Sequence, residues 1–250
     1  MSGKLYKRNH TIGYYECDTT GRISMPMLVN NLLRVSGEQS RELGVDDAFV
    51  DKLGLAWIIL QYEMNIKRLP RAEEKIMIST QALSYNKLFC YRQFKVEDAG
   101  GEEIVSVNST FALMDTEKRK MARVPEEVIA PYEAEFSKHL VRTPKPEKID
   151  ETEAVSKEYR VRYLDIDGNK HVNNSKYFEW ALDVLGYDFL ATHIPVYLNV
   201  KFEKEVHYGE LIQSEFNVTE QNGGNAVSTH RITTAGKTNC ELSAVWEKDS

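Results

Sequence analysis

The chain contains a weak internal repeat, and this repeat restricts its fold more than any other feature of the sequence. Residues 14–37 align with residues 163–186 at a constant offset of 149 (163 − 14 = 149). Tyr14 matches Tyr163 and Asp18 matches Asp167, and the apolar face of a helix is preserved in both halves. The helical matches are Ile23 with Val172, Val29 with Phe178, Leu33 with Leu182, Val35 with Val184 and Gly37 with Gly186. We interpret the repeat as one structural unit that has been duplicated.

After each helical segment, the apolar period changes from 3.6 residues to 2, which is typical of strands. Four strands are predicted in each half. In the first half they cover 55–69, 74–85, 88–98 and 102–115, and in the second half 195–206, 210–222, 226–236 and 238–248. Each unit is therefore predicted to consist of a strand, a long helix and an antiparallel meander.

Recognisable capping residues mark the helix ends. Ser24, followed by Met25-Pro26, fits an N-cap with proline in the first turn, and Leu43-Gly44 fits a glycine stop. Asn173 or Asn174 can cap the second helix. Residues 46–54 predict a short extra helix in the first half only.

A polar segment that contains Pro144 and Pro146 lacks the strand pattern and separates the halves. The predicted organisation is an N-terminal unit at 1–134, a linker at 135–156 and a C-terminal unit at 157–250. Composition alone indicates the α+β class. The repeat and the order of elements favour a double hotdog, in which each sheet wraps around its own helix and the two sheets join edge to edge.

Charge and hydropathy exclude several functional classes. With 250 residues and 42% apolar residues, the chain can build ordinary cores. The N-terminus lacks a secretory or transit signal and no segment reaches membrane-spanning length, so we expect a soluble cytoplasmic protein without a membrane partner. A net charge of −6 argues against general nucleic-acid binding. Three widely separated cysteines, Cys17, Cys90 and Cys240, indicate neither a disulfide framework nor a zinc site.

Three chemically competent side chains precede the second helix. Asp167, Asn169 and His171 occupy alternate positions, which fall on one side of an extended segment. Free N–H groups at the start of the helix are directed towards whatever docks there. Such an arrangement suits a carbonyl group that must become an oxyanion.

These residues belong to a longer motif that resembles a known family. Residues 165–180, DIDGNKHVNNSKYFEW, are similar to the D-x-N-x-H-V-N-N-x-K-Y signature of the acyl-acyl-carrier-protein thioesterases, which are plant plastid enzymes with bacterial relatives. Residues 200–206, VKFEKEV, resemble the strand that carries the catalytic glutamate of that family. The resemblance implies that Asp167, Asn169, His171 and Glu205 form the catalytic group. It also favours a bacterial source.

The first half departs from this motif. At the positions of Asp167, Asn169 and His171 it has Asp18, Thr20 and Arg22, which keep a carboxylate but lose the amide and the imidazole. Only the second unit is therefore expected to be catalytic. The resemblance implies that the first unit supplies much of the acyl-chain pocket.

Thioester hydrolysis requires an activated water and stabilisation of an oxyanion, because the thiol leaving group has a pKa of about 8.5 and departs readily. Either Glu205 or His171 can serve as the base. Asn169 can orient the water or donate to the carbonyl oxygen, and Asp167 can position its neighbours. A carboxylate nucleophile that forms a mixed anhydride is an alternative that the sequence leaves open. No metal or organic cofactor is implied.

Further residues are predicted to bind the substrate and its carrier. The residues expected to contact substrate are Met25, Met27, Leu28, Trp57, Val172 and Asn173. Acyl carrier protein is acidic and this chain is negative overall, so docking requires a local basic patch. The candidates for that patch are Arg160, Arg162, Lys170, Lys176, Lys201 and Lys204.

The best interpretation is a thioesterase that releases free fatty acid from acyl carrier protein, either as a monomer or as a homodimer. The nearest alternative is a hydrolase of acyl-CoA. A non-catalytic sensor of acyl thioesters is a second alternative, but it predicts degraded acidic residues and an attached DNA-binding module, neither of which the sequence contains. A hotdog hydratase fits the residues less well, because they better match a reaction centred on a carbonyl.

Overall fold

The structure is a computed structural model that describes residues 3–168 and 170–249. Within these residues, one sheet has a main path of ten strands, and two short strands pair beside it. The strands are β1 Leu5–Thr11, β2 Leu55–Ile66, β3 Lys75–Tyr85, β4 Phe89–Glu97, β5 Glu103–Asp115, β6 Lys120–Ala122, β7 Glu135–Phe136, β8 Val155–Arg160, β9 His193–Phe202, β10 Leu211–Glu220, β11 Ala226–Thr234 and β12 Lys237–Lys248. The helices are α1 Met25–Glu42, α2 Asp47–Lys52, α3 Glu126–Ile129, α4 Asn174–Asp183 and α5 Tyr187–Thr192. Single 3-10 turns occupy Tyr14–Glu16, Ala130–Tyr132, Tyr163–Asp165 and Asn222–Gly224.

The strand order confirms the duplication. The path runs β1-β3-β4-β5-β2-β9-β12-β11-β10-β8, so the pair β2 and β9 lies at its centre. Counted inwards from its own end of the sheet, each half places its five strands in the same order, namely first, third, fourth, fifth and second along the chain. Each half is thus the same five-stranded unit.

The two units join edge to edge through β2 and β9, which pair antiparallel from Gln61 opposite Lys201 to Asn65 opposite Tyr197. Tyr62 lies on this seam and is fully buried. Its ring lies 6.4 Å from that of Phe178 and 6.0 Å from that of Phe202, measured between ring centroids. The α+β double hotdog architecture is confirmed.

Helices α1 and α4 contact each other, so a single apolar core extends across both units. Helix α1 also contacts β1 and β3, whereas α4 contacts β10 and β11. Leu28, Val29, Leu32 and Val35 of α1 are each at most 1% exposed. Their spacing is that of one helix face, and burying each such side chain stabilises the fold by about 1.5–3 kcal/mol.

The helix in the second unit is broken, which the sequence pattern did not predict. Helix α1 runs through Gly37 without interruption and ends before Gly44, which has φ +74°. Helix α4 ends at Asp183, and Gly186, the repeat partner of Gly37, has φ +82° and ψ 165°. This conformation is essentially restricted to glycine, so the chain turns there and starts the separate helix α5.

Strand β9 ends at Phe202, so the prediction of a strand through residue 206 is wrong and Glu205 lies in a loop. Between the units, residues 137–154 form neither helix nor strand. Pro144 is nonetheless fixed over the seam. Its carbonyl oxygen accepts hydrogen bonds from Asn199 Nδ2 at 2.7 Å and from Gln61 Nε2.

Candidate active site

The segment before α4 folds into a closed loop. Ile166 and Val172 form an isolated antiparallel bridge. Between them, the Asp167 N–H donates to the His171 carbonyl at 2.9 Å, and the Lys170 N–H donates to the Asp167 carbonyl at 3.0 Å. Lys170 has φ +65°, which closes the turn. Asn169, predicted to be catalytic, lies outside the described residues.

A buried carboxylate holds this loop in place. Asp165 is 0% exposed and accepts hydrogen bonds from the Arg162 backbone N–H at 2.7 Å and from Arg162 Nη2 at 2.8 Å. The Asp165 carbonyl accepts from the Asn173 N–H at 2.9 Å. Burial opposes ionisation of Asp165, but the hydrogen bonds and the positive charge of Arg162 outweigh it and lower the pKa of the carboxyl group. Both ends of the loop between Ile166 and Val172 are thereby anchored.

His171 and Glu205 face each other across this loop. Nε2 of His171 lies 3.6 Å from Oε2 of Glu205, with side-chain exposures of 35% and 27%. The distance exceeds that of a direct hydrogen bond, although catalytic contacts often tighten only when substrate binds. The His207 ring lies 6.3 Å from the His171 ring in an edge-to-face arrangement.

Arg119 completes the cluster and was not predicted from the sequence. It lies in the turn between β5 and β6 of the N-terminal unit, and its Nη2 forms an ion pair with Glu205 Oε2. Arg119 has φ +54°, and its N–H donates to the Asp115 carbonyl at 2.9 Å. The turn therefore directs a cation of one unit towards a carboxylate of the other. Only the tertiary arrangement of the units reveals this pairing.

A cavity of about 220 Å³ in the N-terminal unit reaches the loop between Ile166 and Val172. Asp167, Asn173 and Asn174 line one side of it. Other walls include Trp57, one of the predicted substrate-binding residues, and Phe111, whose ring centroid lies 6.3 Å from that of Trp57. The lining contributed by α1 consists of Leu33, Ser36, Gly37 and Ser40.

Only part of the helix N-terminus is free to bind a ligand. The Asn173 side chain caps α4 by accepting from the Ser175 N–H at 2.9 Å, and the Lys176 N–H donates to the Asn173 carbonyl at 2.9 Å. The Asn174 N–H makes no hydrogen bond among the described residues. Because Asn174 also lines the cavity, its N–H is the group of this first turn best suited to an oxyanion.

The wall of this cavity carries a buried cation. Arg92 is 8% exposed and donates to Gln39 Oε1 at 2.6 Å and to Thr80 Oγ1 at 2.8 Å. Its guanidinium carbon lies 5.1 Å from the centroid of the Tyr132 ring. Burial lowers the pKa of Arg92. An apolar chain that reached Arg92 would meet a polar boundary.

Four of the predicted substrate-binding residues do not line this cavity. Leu28 is 0% exposed and Val172 is 5% exposed, and both belong to the core, against which Met27 packs. Met25 lines a different, larger cavity in the C-terminal unit. The core covers the side chains of Met27, Leu28 and Val172, whereas the start of α1, which carries Met25, faces the cavity of the other unit.

The predicted docking residues do not form one cluster. Lys170 and Lys204 are exposed next to His171 and Glu205 in the chain. Arg160 and Arg162 line the larger cavity instead. Lys176 is paired with Glu179 at 2.7 Å, and Lys201 is paired with Glu203.

In the described part of the chain, no helix combines the length and apolar character needed to cross a membrane.

Comparison with known proteins identifies relatives along almost the whole chain. A model of the acyl-ACP thioesterase N-terminal domain matches residues 3–132, and a model of the corresponding C-terminal domain matches residues 148–248. The chloroplastic palmitoyl-acyl carrier protein thioesterase of Gossypium hirsutum is 25% identical over 260 residues, which cover 96% of this chain and 60% of the relative. The chain thus spans about 60% of the length of this curated relative.

Solved structures agree with the fold. A crystal structure from Lactobacillus plantarum that bears the provisional name oleoyl thioesterase has a TM-score of 0.96 at 34% identity, covering 99% of this chain and 98% of that chain. The 12:0-ACP thioesterase of Umbellularia californica has a TM-score of 0.85 at 20% identity, covering 100% and 99%, a likeness that shows the fold. Taken with the two domain matches, this similarity shows that the chain belongs to the acyl-ACP thioesterase family.

Proposed function

We propose that the protein hydrolyses the thioester of a fatty acyl group attached to acyl carrier protein and releases a free fatty acid. The observation that carries this proposal is the approach of His171 Nε2 to Glu205 Oε2, at 3.6 Å, beside a cavity that Asp167 lines. Family membership supports the same reaction, since the relatives named above include acyl carrier protein thioesterases.

In the proposed reaction, a water oxygen attacks the thioester carbonyl carbon while the His171–Glu205 pair accepts its proton. The carbonyl oxygen becomes an oxyanion. The carbon–sulfur bond then breaks, the carrier leaves as thiolate, and the pair returns the proton to the sulfur. Such general base catalysis contributes about 10²–10⁴ in rate.

The oxyanion requires a donor that is already in place. The Asn174 N–H at the start of α4 is one candidate, and the Asn169 side chain, whose placement lies outside the described residues, is another. A preorganised donor of this kind contributes about 10²–10³ in rate.

Arg119 is proposed to position Glu205. Its ion pair with Oε2 fixes the carboxylate near His171, since Glu205 lies in a loop without strand hydrogen bonds to hold it. The site therefore depends on both units, although His171 and Glu205 come from the second unit alone.

The direct test is single-turnover hydrolysis of acyl carrier protein thioesters of different chain lengths. We expect His171→Ala and Glu205→Ala each to lower the rate by about 10²–10⁴. Matched controls are His139→Ala and Glu220→Ala, which remove the same residue types at exposed positions and should leave the rate unchanged. Full activity in both active-site variants would refute the assignment.

Isotope labelling distinguishes water attack from a carboxylate nucleophile. One turnover in oxygen-18 water places the label directly in the fatty acid if water attacks. Label in the carboxylate of Glu205 or Asp167 would instead establish the mixed-anhydride route.

The carrier is tested by comparing acyl carrier protein with coenzyme A as the thiol. We expect higher catalytic efficiency with the carrier protein and a selective loss of that preference in Lys170→Glu. Lys138→Glu, at an exposed position in the linker, is the matched control. Equal efficiency with both thiols would favour an acyl-CoA hydrolase.

A further inference from the structure

The larger cavity is lined mainly by the C-terminal unit, and the start of α1 from the N-terminal unit forms part of its wall. Its volume is about 1090 Å³, compared with about 220 Å³ for the smaller cavity at the loop between Ile166 and Val172. Ligand cavities in proteins usually measure about 300–1,000 Å³. The larger cavity therefore has room for a long apolar molecule, although none of the mechanism's groups within the described residues lines it.

The internal repeat relates the two cavities. Five residues line the smaller cavity and have repeat partners at the offset of 149. All five partners line the larger cavity. These pairs are Asp167 with Asp18, Asn173 with Ser24, Asn174 with Met25, Leu33 with Leu182 and Gly37 with Gly186. The larger cavity is thus the counterpart of the proposed acyl pocket, in the other unit.

The catalytic groups have been replaced at this second opening. Arg22 occupies the position of His171. Its guanidinium forms an ion pair with Asp249 at 2.7 Å and is 12% exposed. Asp18 keeps its carboxylate, but one oxygen accepts from both the N–H and the hydroxyl of Thr20, at 2.8 and 2.6 Å.

Equivalent hydrogen bonds identify the counterpart of Glu205. The His207 N–H donates to Glu210 Oε2 at 2.7 Å, and the Arg71 N–H donates to Glu74 Oε2 at 2.9 Å. The offset in this segment is 136 (210 − 74 = 136), so Glu205 corresponds to Leu69, which lines the larger cavity. With an apolar residue in place of the glutamate, this opening cannot activate a water as proposed for the first.

The walls of the larger cavity suit an alkyl chain. Trp246, Phe178 and Leu182 form a buried apolar surface, 1%, 0% and 8% exposed. Leu190 and Ala191 of α5 form another wall. This wall exists because the chain turns at Gly186, whereas the continuous α1 has no such break.

One cation at the opening is available to an anion. Of the charged side chains that line the cavity, Arg160 alone lacks a hydrogen-bonded or ion-paired partner within residues 3–168 and 170–249. The partnered side chains are Asp18 with Thr20, Arg22 with Asp249, Lys157 with Asp183, Glu158 with Gln213, Arg162 with Asp165 and Glu179 with Lys176. A carboxylate at this opening would pair with Arg160 without breaking an existing contact.

We propose that the larger cavity binds a free fatty acid and does not hydrolyse thioesters. The alkyl chain lies against Trp246 and under α5, and the carboxylate pairs with Arg160. The identification of this acid as the product of the catalytic site rests on the proposed function. Binding of a fatty acid in the larger cavity does not depend on it. Each chain therefore binds two fatty acid molecules, one in each unit.

The test is calorimetric titration of the full chain with dodecanoate below its micellar concentration. We expect two molecules per wild-type chain. Arg160→Gln should weaken one site about tenfold, the loss expected from one charged hydrogen bond. Arg142→Gln, at an exposed linker position, is the matched control and should keep both affinities.

Filling the cavity provides a second variant. Ala191→Trp should leave a single binding site while the thermal unfolding midpoint stays close to that of the wild type. If this variant fails to fold, a diazirine-bearing fatty acid tests the wild-type chain directly, and crosslinks should occur within residues 186–195 as well as in the N-terminal unit. One bound molecule per wild-type chain, or crosslinks confined to the N-terminal unit, would overturn the proposal. Absence of hydrolysis with two molecules still bound would refute only the proposed function.

Discussion

Mild acid should destabilise the protein through one buried histidine. His230 on β11 is 2% exposed, and its Nε2 lies 2.8 Å from Ser228 Oγ, which also accepts from Trp246 Nε1 at 2.7 Å. Its Nδ1 is buried without a hydrogen-bond partner among the described residues. Burial lowers the pKa of His230 from 6.5 to about 3.

The sign and size of the effect follow from proton linkage. The unfolded chain binds a proton on this residue below pH 6.5, whereas the folded chain does so only near pH 3. Between these values the free energy of unfolding falls by about 1.4 kcal/mol for each unit of pH. Going from about pH 7 to about pH 5 should therefore cost about 2 kcal/mol, or roughly 4–8 °C in Tm for a chain of this size.

Urea unfolding at several pH values between about 5 and 7 measures this slope, in a window where carboxyl groups contribute little because most titrate below it. His230→Gln should remove about 2 kcal/mol of the pH dependence, whatever its effect on absolute stability. His139→Gln, which removes an exposed histidine, should retain the wild-type slope. Equal slopes in the wild type and His230→Gln would refute the reasoning.

Three further substitutions test other parts of the structure. The buried hydroxyl of Tyr62 has no hydrogen-bond partner among the described residues, so Tyr62→Phe should raise the free energy of unfolding by about 1–2 kcal/mol, and a loss of stability in urea would contradict this. Arg119→Met should lower kcat about tenfold, because Glu205 would lose the group that positions it. The free energy of unfolding should change by less than about 1 kcal/mol, because the ion pair is partly exposed. Unchanged kcat would exclude a positioning role. Trp57→Ala enlarges the smaller cavity, which is the proposed acyl pocket, and should shift preference towards longer acyl chains, whereas an unchanged chain-length profile would place the acyl group elsewhere.

The internal repeat and the apolar periods of 3.6 and 2 residues predicted most of the fold, because the faces that these periods mark as apolar are the ones that pack in the core. The apolar face of α1 and the joined sheets are examples. The break at Gly186 could not be predicted in this way, since Gly37 at the equivalent position is accommodated within a helix. Glycine permits both conformations, and packing of the surrounding unit decides between them.

The sequence yields candidate site residues only where they are adjacent in the chain or belong to a recognisable motif, and their roles stay predictions. Asp167 and His171 lie in one short loop, and the motif resemblance supplied Glu205. Arg119 was missed because it is distant in sequence and lies in an exposed turn with no motif. Met25 was predicted to bind substrate and lies at the larger cavity, because the start of each long helix faces the cavity of the other unit.

The seam between β2 and β9 has an evolutionary consequence. Two identical hotdog chains paired by twofold symmetry would have to present two identical openings, so any substitution would appear in both. Joining the units in one chain removes that constraint, and each opening accepts mutations independently. The equivalent positions differ accordingly: one opening carries the imidazole of His171, and the other carries the guanidinium of Arg22, which pairs with Asp249.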